Sequence, residues 1–405
     1  MSGLTRRDLL RAGALGAAGA AMPGLWQRSA MALDEPGQIL VVVELAGGND
    51  GLNTLVPYRN DAYYEARPKI AIEPDALLRL DDEFGLHPRL LGLRNLWEKQ
   101  QVAVVHGCGY PNPTRSHFSA MAWWHSGVPH GAEPLGWLGR GADARWPDGR
   151  PNTIVNIAQR ESLAVRSGRH APIVFSDPKS FVRAGDRESN ALYRRMTHEA
   201  PDANPSSNLA FLRDIARSAE RSASRVREAI SRYETPVSYG SVAASLGNDL
   251  RNVTALIASD FPARVYYLSM GGFDTHGSQT STQNNLLMYV GDALEGFLSD
   301  VERNGRASDV TVLVFTEFGR RVAENRSGGT DHGTATPVWL LGPRVKPGFH
   351  GSPPSLTELD DGDLMMTSDF RRVYASVLSQ WLGVAEPGSL LRGDFTPLDL
   401  LQPTG

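Results

Sequence analysis

Five short apolar runs set the limits on what this chain can fold into. They lie near 39–45, 102–106, 264–269, 310–315 and 337–341, and they consist largely of β-branched and aliphatic residues. Runs of that length and composition read as strands buried on both faces. Helical spacing fills the intervals between them. Leu86, Leu90, Leu93 and Trp97 recur at that spacing, as do Leu246, Leu250, Val253 and Ile257, and then Leu287, Val290, Leu294, Phe297 and Val301. A last helix is expected from about Asp369 to Trp381. Strands alternating with helices imply an α/β fold with a central, largely parallel sheet and helices on both faces. Residues 128–205 break the rhythm, being rich in Gly, Pro and Arg, and a polar helix is expected over 208–233. The stretch 128–235 therefore reads as an insertion or cap over the sheet edge.

The first 32 residues read as an export signal. Thr5-Arg6-Arg7-Asp8-Leu9-Leu10-Arg11 has the twin-arginine pattern, Ala12 to Met22 is weakly apolar, and Ala30-Met31-Ala32 is a small-x-small cleavage site. The expectation is a signal peptide over 1–32 and a mature domain over 33–405. The folded protein would be exported by the twin-arginine translocase to the periplasm or beyond. The apolar part is too short to span a bilayer, and no other segment reaches 18 uninterrupted apolar residues. Cleavage removes four Arg and one Asp. Lys+Arg falls from 41 to 37 and Asp+Glu from 45 to 44, so the formal charge moves from −4 to −7. That balance offers no attraction to nucleic acid or to an anionic membrane. A single cysteine, Cys108, excludes an internal disulfide framework and a multi-cysteine zinc site; its plain reading is a small buried residue.

Acidic and imidazole groups gather where the apolar runs end. Val41 to Leu45 leads into Gly47-Gly48-Asn49-Asp50, Val265 to Met270 into Asp274 and His276, and Val310 to Phe315 into Glu317. Asp331 and His332 come just before the run Pro337 to Leu341. In open α/β sheets, ligands bind at the carboxyl ends of the strands. Any one of these residues alone is an ordinary turn or cap group. Together, Asp50, Asp274, His276, Glu317, Asp331 and His332 form a mixed oxygen and nitrogen set suited to a divalent ion such as Zn²⁺, Mn²⁺ or Ca²⁺, one or two per chain.

A second segment, Pro111 to Phe118, leads into a short helix expected to end near Gly127. A hydroxyl at a helix N-terminus meets unpaired N–H groups that favour an anion or an activated alkoxide. Ser116 is the first candidate nucleophile and Thr114 the second, and Arg115 can clamp an oxyanion. The plainer alternative is that Ser116 only caps the helix. Trp123 and Trp124 serve either core packing or a glycan or protein partner.

These motifs resemble those of the domain-of-unknown-function 1501 family, exported bacterial proteins placed in the alkaline phosphatase-like superfamily. The resemblance rests on Glu44-Leu45-Ala46-Gly47-Gly48-Asn49-Asp50-Gly51, Arg115-Ser116-His117-Phe118, Phe273-Asp274-Thr275-His276 and Thr316-Glu317-Phe318-Gly319-Arg320. It also rests on Asp331-His332-Gly333, Asp369 to Tyr374 and Trp381-Leu382-Gly383. It implies that Asp274, His276 and His332 share one metal, and that Asp50, Glu317 and Ser116 hold another, with His117 the alternative to Ser116 in register. Three departures are visible. Phe318 stands where the superfamily places a His, Asp274 and His276 are spaced more closely than the usual pair, and Pro111 occupies the place of the sulfatase cysteine, which rules out formylglycine chemistry there. The function expected is an exported metal-dependent hydrolase of phosphate or sulfate esters, acting on a small anionic ester or glycan-type substrate through a Ser or Thr nucleophile or a metal-bound water. The alternative is a non-catalytic periplasmic binding or assembly protein that keeps a degenerate site.

Overall fold

A computed structural model describes residues 37–179, 181, 208–241 and 245–402, with backbone alone for 208–216. The chain divides into Met1–Gly37 and Gln38–Gly405, and everything below concerns the second unit. The expected signal segment 1–32 lies outside the described residues.

The main sheet is built from β1 (Ile39–Leu45), β2 (Val102–Gly109), β3 (Ile154–Ile157), β4 (Ile173–Phe175), β5 (Val265–Met270), β6 (Val310–Phe315), β7 (Thr336–Leu341), β8 (Gly348–His350) and β9 (Ser368–Asp369). Their spatial order is β8-β2-β7-β6-β1-β5-β3-β4, with β9 alongside β2. Every pairing is parallel except those of β7, which runs antiparallel to both β2 and β6. All five apolar runs are strands of this sheet.

β1 lies at its centre, and all seven of its residues are buried. Because side chains alternate along a strand, it feeds two cores. Ile39, Val41, Val43 and Leu45 face one, and Leu40 and Val42 the other. The first core is closed by α1 (Leu91–Glu98), α5 (Ser245–Ala258) and α6 (Gln279–Arg303), through Leu93, Leu250, Val253, Leu294 and Phe297. The second is closed by α2 (His117–Ser126), α3 (Trp137–Arg145) and α7 (Phe370–Ser376), through Trp124, Trp137, Leu138, Val373 and Tyr374. A long polar helix, α4 (Asn208–Arg232), meets the first core through Val226. This is the α/β architecture expected, with helices on both faces.

Two local details differ from the periodicity. Leu86 is not helical; Gly85 and Leu86 pair with Leu55 and Val56 in a small separate sheet, and the helix is confined to Leu91–Glu98. Pro88 accounts for the break, since it drives His87 away from helical backbone. Within 128–235, residues 154–157 and 173–175 are strands of the main sheet, while 182–207 lie outside the described residues.

The reversed direction of β7 matters for the site. It brings the start of that strand to the rim where β1, β2, β5 and β6 end. The loop carrying Asp331 and His332 therefore arrives beside the loops that leave those strands.

Candidate metal centre

Helix α2 is anchored from within. The Trp124 ring stacks on Phe315 of β6 at 5.4 Å and on Phe370 at 4.2 Å, both near parallel. Gly127, in left-handed backbone, closes the helix by donating to the Trp123 carbonyl. The core role of Trp124 is thereby settled. The first turn is also held, with Ser116 at the N-cap and His117 as the first helical residue. His117 Nδ1 lies 2.8 Å from Glu317 Oε1. Glu317 is fully buried, directly after β6, and also accepts from the Gly47 N–H at 2.9 Å and the Thr316 hydroxyl at 3.0 Å.

The loop after β1 approaches the loop after β5 backbone to backbone. A Cβ at Gly47 would sit 2.5 Å from the Asp274 nitrogen, and the residue takes φ 119°, so glycine is required there. Arg320 ties these loops together. It is buried and donates to the carbonyls of Gly48 (2.6 Å), Gly47, Phe273 (3.0 Å) and Thr330 (2.9 Å), and to Asp274 Oδ1 (2.8 Å). Partial burial opposes charge on Asp274, yet the hydrogen bond and charge of Arg320 hold its carboxyl well below the usual range.

Around Asp274 three imidazoles converge. His276 Nε2 and His332 Nε2 are each 3.0 Å from Asp274 Oδ1 and 2.9 Å from one another. His117 Nε2 is 3.5 Å from Asp274 Oδ2; it is buried and has no hydrogen-bond partner. The opposite nitrogen of each ring meets an oxygen acceptor: His117 Nδ1 meets Glu317, His276 Nδ1 meets Asp331 Oδ1 at 3.1 Å, and His332 Nδ1 meets the Arg115 carbonyl at 2.9 Å. With the ring proton on Nδ1, toward that acceptor, each Nε2 presents a lone pair to the centre. In that tautomer three imidazole nitrogens and the Asp274 carboxylate face one another, an arrangement that a cation would satisfy. His117, Asp274 and His332 can each offer a ligand atom with all three within 4.8 Å of one another, and in a tetrahedral zinc set with bonds of about 2.0–2.1 Å ligand atoms stand about 3.3 Å apart. The residues present therefore fit a divalent metal ion. An oxygen acceptor behind each imidazole is also the usual outer layer of a histidine metal site.

Of the residues expected from sequence, Asp274, His276 and His332 are brought together. His117, first considered for catalysis, joins them as a donor. Asp331 stands behind His276, where it also accepts from Asn325 Nδ2, and Glu317 stands behind His117; both are positioned as supports for ligands rather than as ligands. Asp50 departs furthest from expectation. Its Oδ1 accepts from the N–H groups of Leu52 and Asn53, and its Oδ2 from Arg67 at 2.7 Å and Gln279 at 2.6 Å, all in a buried setting. With two protein donors on each oxygen, it has no lone pair to offer an ion. Arg115 is likewise committed, to Asp363 at 2.6 and 2.8 Å and to Asp361 at 3.0 Å, so it cannot act as a free oxyanion clamp. Ser116 is exposed and makes no side-chain cap bond.

Arg67, Gln279 and the structural use of Arg320 were not anticipated. Arg320 stood inside a motif next to Glu317, which was a signal. Nothing in the spacing of Arg67 or Gln279 marks them. A cavity of about 600 Å³ lies elsewhere; Arg320 lines it but none of the four converging residues does.

Fold and geometry together define an α/β protein with a candidate mononuclear metal centre at the carboxyl rim of a largely parallel sheet. Residues 38–392 match the family model described as "Protein of unknown function (DUF1501)", and the chain belongs to that family. No curated protein matches it. Solved structures with a remote likeness include a sulfatase from Pseudoalteromonas sp., at 9% identity and TM-score 0.37, covering 91% of this chain and 73% of that one. Another is the C-terminal periplasmic domain of EcEptC from Escherichia coli in complex with Zn, at 10% identity and TM-score 0.35, covering 87% and 83%. A third is the alkaline phosphatase of the Antarctic bacterium TAB5, at 9% identity and TM-score 0.33, covering 76% and 92%. Likenesses this distant carry no functional argument, which rests on the side chains of this protein. No helix among the described residues is long and apolar enough to cross a membrane.

Proposed function

We propose that the chain is an exported, metal-dependent hydrolase of phosphate or sulfate esters that uses one divalent ion held by His117, Asp274, His276 and His332. The carrying observation is the meeting of three Nε2 atoms at one carboxylate, each ring having its other nitrogen committed to an oxygen. A bound divalent ion would supply Lewis acidity toward an ester oxygen. The chain's own groups do the rest. Glu317, Asp331 and the Arg115 carbonyl hold the imidazole protons away from the centre. Phe318 packs on His117 and His332, at 4.9 and 4.8 Å, and keeps water from that side. Asp274, His276 and Asp331 stay about half exposed, so a substrate can reach the centre, as a catalytic rather than a structural site requires. Ser116, at the N-cap of α2, would be the nucleophile, and the unpaired N–H groups of that turn favour negative charge nearby. The substrate class is a small anionic ester or glycan-type ester, reached after export in folded form through the twin-arginine route.

The test is metal analysis of the purified mature protein, joined to turnover of p-nitrophenyl phosphate and p-nitrophenyl sulfate after loading with Zn²⁺, Mn²⁺ or Ca²⁺. One ion per chain with turnover abolished by chelation is expected. A protein that binds none of these ions sinks the proposal. A second reading, a non-catalytic binding or assembly protein, draws on Asp50 and Arg115 being locked into ion pairs; a metal-loaded protein inert on both esters would favour it.

A further inference from the structure

A second cavity opens beside the metal centre. Phe318, whose ring packs on His117 and His332, lines a space of about 260 Å³ together with Tyr110, Trp124, Leu364, Met365 and Met366. Met365 and Met366 are 45% and 39% exposed, although among the described residues only four large apolar side chains are exposed at all. Flexible methionines at an apolar opening suit a surface that adapts to a ligand. Asp363 also lines the cavity, and its side chain is 3% exposed. Its Oδ2 takes both bonds from Arg115, and Arg321 Nε stands 3.7 Å from Oδ1, but Oδ1 has no hydrogen bond. An unmade bond on a buried acceptor is unfavourable, more so for a charged group. Asp360 adds a second carboxylate to the wall.

We infer that this cavity is a subsite for an apolar organic group that carries a hydroxyl or amine, the donor being directed to the carboxylate-bearing wall of Asp360 and Asp363. Its size argues for a fragment, since sites for whole ligands usually span about 300–1,000 Å³. Two carboxylates in the wall disfavour an anion here. Assigning the fragment to the organic arm of the ester rests on the metal-centre reading; binding itself does not. The geometry then separates the two ends of a substrate, with the charged ester at the metal and a neutral or cationic arm beyond Phe318.

Ligand-observed NMR titration of the purified protein with 3-phenylpropan-1-ol, and with 3-phenylpropanoate as the anionic match, tests this. The alcohol is expected to bind and the carboxylate to bind roughly tenfold more weakly or not at all, through like-charge repulsion. Met366→Trp, which plugs an opening at a part-exposed position, should weaken the alcohol roughly tenfold. Calorimetric titration with Zn²⁺ should be the same for the variant and the native chain. Equal binding of alcohol and carboxylate, or alcohol binding unmoved by Met366→Trp, overturns the subsite. If Zn²⁺ fails to bind while the probe pattern holds, the metal centre falls and the subsite stands.

Discussion

At the scale of single residues, the proposed metal centre separates groups that would touch an ion from groups that would aim them. Removing a donor should abolish binding: His332→Ala is expected to weaken Zn²⁺ affinity by more than about 100-fold in calorimetry, because one of four donors goes. Glu317→Gln should cost roughly 10–100-fold, the usual penalty for losing an orienting partner. Asp50→Ala should behave differently. It leaves Arg67 buried without its partner, so a loss of about 3–5 kcal/mol in denaturant unfolding is expected, with metal content per folded chain unchanged. Loss of the metal in Asp50→Ala with stability intact would show that Asp50 is a ligand after all.

At the scale of elements, strand β2 carries a pH-sensitive packing. His106 packs in a three-ring cluster with Phe84 and Phe349, its centroid 5.0 Å from each and theirs 5.3 Å apart, and burial pushes it down to about 4. His87, also buried, is lowered to about 4 for the same reason. An unfolded histidine titrates near 6.5. Between about 4 and about 6.5 the unfolded chain binds more protons than the folded one, so stability falls as pH drops through that window. For His106 the loss at pH 4.5 is on the order of 2 kcal/mol relative to neutral pH. His106→Phe, which keeps an aromatic in the cluster, should flatten the difference in urea midpoint between pH 7 and pH 4.5. An unchanged difference would mean that His106 does not titrate as described. The elements themselves were largely readable: β1, β5, β6, α5 and α6 lie where apolar length and spacing put them. Leu86 misled because a helical interval of four is met equally by residues on separate elements, and only Pro88 hinted at the break.

At the scale of the whole molecule, the reversed strand β7 decides that a centre exists. It brings His332 from the start of one strand to the ends of others, and α2 brings His117 from a distant segment. The export proposal also belongs at this scale. Replacing both Arg6 and Arg7 by Lys should leave the precursor uncleaved inside the cell, measured as the ratio of precursor to mature chain in cell fractions. Normal export of that variant would remove the twin-arginine reading and leave the metal centre untouched.

Sequence alone was enough for the sheet, its helical layers and the loops that bear donors, because burial on two faces and periodicity are local properties written in consecutive residues. It also marked Asp274, His276 and His332 as partners. Which partners a strand-end carboxylate meets was decided only in three dimensions. Asp50 and Asp274 look alike in the chain, each following a glycine-bearing strand end, and each meets a buried arginine, Arg67 for one and Arg320 for the other; they part company because Gln279 and two backbone N–H groups complete the shell of Asp50 while three imidazoles reach Asp274. Such a choice depends on neighbours up to some 230 residues away, and no local pattern encodes it.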